Sequence, residues 1–210
     1  MGFRHTPFFE LLDAVQAGGC PLCRIVNRAV RRYLEATLYE FVNDAGMRHR
    51  VVQSQGFCAA HAALLRQMGD GLGVVLLHEQ VLAGLSRGDL AAVLKAPAAP
   101  CPACATAAEW LDHSGGTLLA SLDEPEITDY LNGRPAFCLS HLRWLARHAR
   151  SRQQRKQFAE IARTTAEHLY TDALTFTNAA NRSDPNRPDL TPEEKTVWLR
   201  ILDFLSGSPA

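Results

Sequence analysis

The sequence has no net charge, because 22 lysines and arginines are balanced by 22 aspartates and glutamates. A neutral chain creates no overall field that would attract nucleic acid or an anionic membrane surface. The one concentrated basic stretch, residues 147–156, could contact phosphates, but such stretches are more often solvated surface. The sequence therefore argues against nucleic acid as the partner, and nucleic-acid binding stays the weakest alternative.

Long apolar segments are also missing. No run approaches the roughly 20 apolar residues that a membrane-spanning helix needs. The first residues, Met1 to Thr6, lack the apolar core of a signal peptide. We therefore expect a cytoplasmic protein without a transmembrane segment.

The sequence has no convincing alternation of apolar and polar residues with a period of two, so it predicts no strands. Apolar residues recur instead at helical spacing, for example at Phe8, Leu11, Leu12 and Val15. A capping box at residues 191–194 predicts the start of a last helix. These patterns predict an all-α fold.

Catalytic signatures are absent too. The pair His78 and Glu79 is the start of a zinc-protease motif, but Leu82 stands where that motif needs its second histidine. No nucleophile with a neighbouring base can be assembled from local patterns. The sequence therefore gives no catalytic residue.

What the sequence does contain is one motif that occurs twice and uses all six cysteines. A Cys-Pro-x-Cys pair is followed by a Phe-Cys-x-x-His pair, after 34 residues in the first copy and 33 in the second. The motif residues are Cys20, Cys23, Cys58 and His61 in the first copy and Cys101, Cys104, Cys138 and His141 in the second. This spacing indicates an internal repeat. We predict repeats at residues 1–88 and 89–178, followed by a linker and a C-terminal helix at 179–210.

Three cysteines and one histidine form a standard ligand set for structural zinc. Each pair is predicted at the start of a helix, where free backbone amides and the helix dipole stabilise thiolates. We therefore expect two pseudo-repeated helical units, each held by one Cys3His zinc site, with two zinc ions per chain. Three disulfides would leave the repeated histidines unexplained, and a cytosolic protein rarely forms them. An iron–sulfur cluster stays open as an alternative, although histidine ligands are exceptional there.

These motifs resemble those of an uncharacterised bacterial family of helical proteins with tandem CPxC and FCxxH motifs. In this sequence the motifs read CPLC and GFCAAH, then CPAC and AFCLSH. The resemblance covers roughly residues 8–178, and the last helix lies outside it. The resemblance implies the metal sites but no activity.

These observations together predict a zinc-stabilised scaffold or adaptor that binds a protein partner through a helical surface. A metal or redox sensor or an electron carrier with iron–sulfur clusters is the alternative from another class.

Overall fold

The computed structural model describes residues 6–133, 136–180 and 189–208. The N-terminal residues 1–5, on which the expected absence of a signal peptide rests, and residues 181–188 of the predicted linker lie outside this range. Within it the chain forms twelve helices and no strand, which confirms the all-α fold. None of these helices is long and apolar enough to cross a membrane. The helices are α1 (Thr6–Gln16), α2 (Pro21–Tyr39), α3 (Ala45–Gln53), α4 (Ala59–Met68), α5 (Gly71–Arg87), α6 (Leu90–Leu94), α7 (Pro102–Ala120), α8 (Pro125–Asn132), α9 (Leu139–His148), α10 (Arg152–Ala180), α11 (Pro192–Lys195) and α12 (Val197–Ser206).

Polar side chains begin several of these helices by accepting free backbone amides. Asp70 accepts a hydrogen bond from the backbone N–H of Gly73 at 2.9 Å and so caps α5. Thr191 and Glu194 form the predicted capping box at α11. The last helical segment is nevertheless interrupted at Thr196, whose hydroxyl donates back to the Glu193 carbonyl at 3.0 Å. As a result α11 and α12 are separate helices.

The chain divides into two compact units. The split unit consists of the described residues of Met1–Ile25 and His113–Pro209, and the continuous unit consists of Val26–Asp112. The unit boundaries fall inside α2 and α7, and therefore differ from the boundaries expected at residues 88 and 178. The boundaries at residues 88 and 178 concern the repeated copies of the motif and stay a prediction. Each compact unit contains residues from both copies.

The continuous unit has an apolar core built by α2 to α5 and the start of α7. Its fully or almost fully buried residues include Leu34, Met47, Val51 and Leu77. Burying side chains of this size contributes about 1.5–3 kcal/mol each. The core fixes the helices from which one set of motif residues projects.

The split unit has its own core, in which α1, α8, α9, α10 and α12 take part. Its fully buried side chains include Leu11, Leu22, Leu118, Ile127, Leu142, Leu145 and Phe158. The C-terminal helix α12 packs on α9 and α10 through buried Val197 and Phe204. Arg200 donates to Asp172 on α10 at 2.8 Å. The C-terminal helix that the sequence predicts therefore packs on its own chain.

Candidate metal centres

The four motif pairs all lie at helix starts. In each pair the first cysteine directly precedes a helix, and its carbonyl accepts a hydrogen bond from the backbone N–H four residues later. The N···O distances are 3.1 Å at Cys20, 2.8 Å at Cys58, 3.1 Å at Cys101 and 3.0 Å at Cys138. The second ligand follows three residues later, so both side chains of a pair lie at the same end of one helix.

Local sequence explains why the helices begin there. Proline disfavours helical backbone at the residue before it and suits the first helical turn. Pro21 and Pro102 therefore leave Cys20 and Cys101 just outside α2 and α7. At α4 and α9 the N-cap cysteine has extended backbone, with ψ of 164° and 154° respectively.

Four motif residues meet in the split unit, and we call them the buried cluster: Cys20, Cys23, Cys138 and His141. Nδ1 of His141 lies 3.3 Å from Sγ of Cys20, 3.4 Å from Sγ of Cys23 and 3.2 Å from Sγ of Cys138. The sulfurs of Cys23 and Cys138 are 3.6 Å apart.

The other four motif residues meet in the continuous unit and form the exposed cluster: Cys58, His61, Cys101 and Cys104. Nδ1 of His61 lies 3.2 Å from Sγ of Cys58, 3.5 Å from Sγ of Cys101 and 3.4 Å from Sγ of Cys104. The sulfurs of Cys58 and Cys104 are 3.6 Å apart. The two clusters thus have nearly the same geometry.

The grouping corrects one expectation from the sequence. All eight predicted residues take part, but each cluster joins the Cys-x-x-Cys pair of one copy to the Cys-x-x-His pair of the other copy. The reason is the length of α2, which carries the chain roughly 24 Å along the helix axis from Cys23 to Tyr39 before Cys58 is reached. The ligands of one copy therefore do not gather at one ion.

The cluster geometry fits a single tetrahedral ion. Bonds of about 2.3 Å to sulfur and about 2.0–2.1 Å to nitrogen give tetrahedron edges of about 3.8 Å between sulfurs and about 3.5 Å between sulfur and nitrogen. In each cluster the four ligand atoms lie within 4.8 Å of one another. None of the six cysteines forms a disulfide, and sulfurs 3.6 Å apart are well beyond the bond length of about 2.05 Å.

Charge is unevenly shared in the buried cluster. Hydrogen bonds from the thiols of Cys20 and Cys23 hold the pKa of Cys138 far below its usual range, whereas the same contact with Cys138 raises the pKa of Cys23. Burial lowers the pKa of His141, but its hydrogen bonds to Cys138 and Cys20 outweigh this and raise the pKa to about 9. Metal binding requires deprotonated cysteines and a neutral histidine, so a divalent ion would displace protons from this cluster.

The exposed cluster differs in its charge distribution. Burial raises the pKa of Cys58, but the backbone amides of His61 and Ala60 and the thiols of Cys104 and Cys101 lower it below the usual value. Burial and contact with Cys58 raise the pKa of Cys104 to about 12. Burial lowers the pKa of His61, which favours the neutral imidazole that metals bind.

One residue near the buried cluster was not predicted as part of a site. Gly207 follows α12 with a φ of 82°, and a Cβ built on it would lie 3.2 Å from Sγ of Cys23 and 3.7 Å from Sγ of Cys138. The backbone at the end of α12 therefore lies directly against the sulfurs. The sequence signals only that a glycine suits the end of a helix.

A cleft of about 900 Å³ also adjoins the buried cluster. Cys20 and Cys138 line it, together with apolar side chains such as Leu131 and Ile161 and polar ones such as Thr165. Its volume lies within the range of small-molecule sites. Within the described residues it carries no arrangement that points to one class of ligand.

Part of the chain is similar to proteins that have no assigned function. Residues 8–88 match the model of a family described as "Family of unknown function (DUF6062)". An "Uncharacterized 23.9 kDa protein in xynA 3'region" of Caldicellulosiruptor sp. (strain Rt8B.4) is 31% identical over 72 residues. The match covers 34% of this chain and 35% of that protein. No solved structure matches the chain. The predicted resemblance to an uncharacterised family is thus confirmed over residues 8–88, a range that holds half of each cluster.

Proposed function

We propose that the protein binds two zinc ions, one in each cluster, and acts as a zinc-stabilised helical scaffold or adaptor for a protein partner. The observation that carries the metal proposal is the pair of clusters, in which all six cysteines and two of the histidines stand at tetrahedral spacing. The agreement between the two clusters is independent support, because they lie in different units and are built from different helices.

The ligand set favours zinc. Thiolate and imidazole are the ligands that zinc prefers in four-coordinate structural sites. The short distances between ligand atoms favour one ion over an iron–sulfur cluster, since a cluster with several irons places its protein ligands on different metal atoms and so further apart. Four protein ligands also leave no open position for water, which favours a structural role over a catalytic one.

The positions of the ligands favour a structural role for a second reason. The buried cluster joins residues up to 121 positions apart in the sequence, and the exposed cluster joins residues up to 46 positions apart. Closing such long loops costs conformational entropy, which the metal–ligand bonds offset. We therefore expect folding of each unit to be coupled to metal binding.

The adaptor part of the proposal is supported by an apolar face of α5 in the continuous unit. Leu72, Val75 and Leu82 are 71%, 63% and 64% exposed and lie on one side of the helix, opposite buried Leu77 and Val81. Glu79 lies on the same side and pairs with Arg48 at 3.5 Å, so this surface is an apolar patch that contains one charged residue. Exposed apolar patches of this kind are suited to binding another protein. An amphipathic helix of the partner would fit such a surface.

Elemental analysis of the purified chain tests the metal proposal. We expect two zinc ions per chain and no absorbance in the visible range after anaerobic purification. A brown protein that contains iron and acid-labile sulfide would contradict the proposal, and so would a fully folded chain that takes up no metal.

A further inference from the structure

The two clusters differ in how well the protein shields them. In the buried cluster the relative exposure of Cys20, Cys23 and Cys138 is 6%, 5% and 2%. In the exposed cluster Cys58 is exposed and the other two cysteines are half-buried. The ligand geometry is the same in both, so the difference lies in access from solvent.

The shielding of the buried cluster comes in part from the C-terminal segment. The backbone of Gly207 lies against the sulfurs of Cys23 and Cys138, at a position where a Cβ would come within 3.2 Å of the first sulfur. Buried Val197 and Phe204 anchor α12 on the split unit and so keep Gly207 in place. An incoming ligand cannot reach this side of the cluster unless the end of α12 moves.

The loss of the ion from a four-coordinate zinc site depends on whether an outside ligand can reach the site. Exchange begins when an outside thiolate or chelator approaches the ion while one protein ligand leaves. Cysteine reactivity in general follows exposure of the sulfur. Cys58 provides such an approach, because it is exposed and lies at the N-cap of α4.

We propose that the exposed cluster is an exchangeable metal site, whose occupancy follows the supply of a thiolate-preferring divalent ion such as Zn²⁺, whereas the buried cluster keeps its ion. In the exchange the ion passes to the incoming ligand, four protein–metal bonds break, and the released thiolates take up protons from solvent. No electron is transferred. This inference rests on the proposed function. It adds that the supply of the ion controls metal occupancy in the continuous unit.

The experiment uses the zinc-loaded full chain, mixed with an excess of the chromogenic chelator 4-(2-pyridylazo)resorcinol, with samples quenched in N-ethylmaleimide and analysed by mass spectrometry. We expect zinc release in two phases of equal amplitude, with one zinc per chain leaving in the fast phase. Cys58, Cys101 and Cys104 should be alkylated at the fast rate and the other cysteines at the slow rate. Release of both ions at one rate, or alkylation in the reverse order, would overturn the inference, whereas failure to load zinc at all would overturn the proposed function.

A second pair of variants tests the cover over the buried cluster. Gly207→Ala should accelerate the slow release by about 10- to 100-fold, because its methyl group pushes the end of α12 away from the sulfurs. Gly69→Ala is the matched control: Gly69 also follows a helix, with a φ of 76°, but a Cβ there has no neighbour within 4 Å. Slow release that is unchanged in Gly207→Ala, or accelerated equally in both variants, would show that Gly207 does not cover the site.

Discussion

At the scale of single residues, the histidine nitrogen that faces the sulfurs indicates which side chains could replace each histidine. His61 and His141 direct Nδ1, the ring nitrogen nearer the backbone, toward three sulfurs. A cysteine sulfur at either position would lie close to where Nδ1 now lies. The histidine should therefore be replaceable by another short ligand but not by an inert side chain.

This gives a prediction for His141. His141→Ala removes one of four ligands, and we expect it to weaken zinc binding at the buried cluster by about 2.5–4 kcal/mol, roughly a quarter of the 10–16 kcal/mol typical of structural zinc binding, with a lower unfolding temperature as a result. His141→Cys supplies a fourth thiolate and should keep two zinc ions per chain. Metal analysis and thermal unfolding of both variants provide the measurement. Equal loss of zinc in the two variants would mean that His141 serves packing and not ligation.

The candidate ligands could be predicted from the sequence, whereas Gly207 could not. Cysteine and histidine at these spacings have few structural uses other than metal binding, and the motif occurs twice. Gly207 has no such signal, because its importance arises only when folding brings the end of α12 to sulfurs that are far away in the sequence.

At the scale of elements, helix starts were easier to predict than helix ends. The prolines after Cys20 and Cys101 and the capping box at Thr191 act through neighbouring residues, so the sequence alone identifies them. The interruption at Thr196 depends instead on a competing hydrogen bond, which the Thr196 hydroxyl donates to the Glu193 carbonyl.

The apolar face of α5 leads to a prediction about a partner. A photo-crosslinking amino acid at position 75, introduced into the full chain in cells of its source organism, should give an adduct with a different protein. The double variant Leu72→Asp/Leu82→Asp should abolish that adduct, because it places two charges on the face.

The double variant should keep two zinc ions and change stability by no more than about 0.5 kcal/mol per substitution, as is usual at exposed positions. Gln80→Asp, which adds a charge at an exposed position of α5 away from the apolar face, is the control and should leave the adduct intact. An adduct with only a second copy of this chain, or an adduct that survives the double variant, would contradict the adaptor proposal.

At the scale of the whole molecule, the grouping of the ligands is the feature that sequence reasoning missed. The Cys58 and His61 pair is 34 residues from the preceding Cys-x-x-Cys pair and 39 residues from the following one. Both separations are long enough to close a loop, and loop entropy differs little between them. Only the direction and length of α2 and α7 decide which pairs meet, and these follow from packing in each unit.

We expect each ion to link the Cys-x-x-Cys pair of one copy to the Cys-x-x-His pair of the other. A direct test is the zinc content of two double variants that are loaded with zinc and then separated from unbound metal by gel filtration. Cys20→Ser/Cys138→Ser damages one cluster twice and should keep one zinc per chain, whereas Cys20→Ser/Cys58→Ser damages both clusters and should keep none. The opposite result, with zinc kept in the Cys20/Cys58 variant and lost in the Cys20/Cys138 variant, would contradict the account.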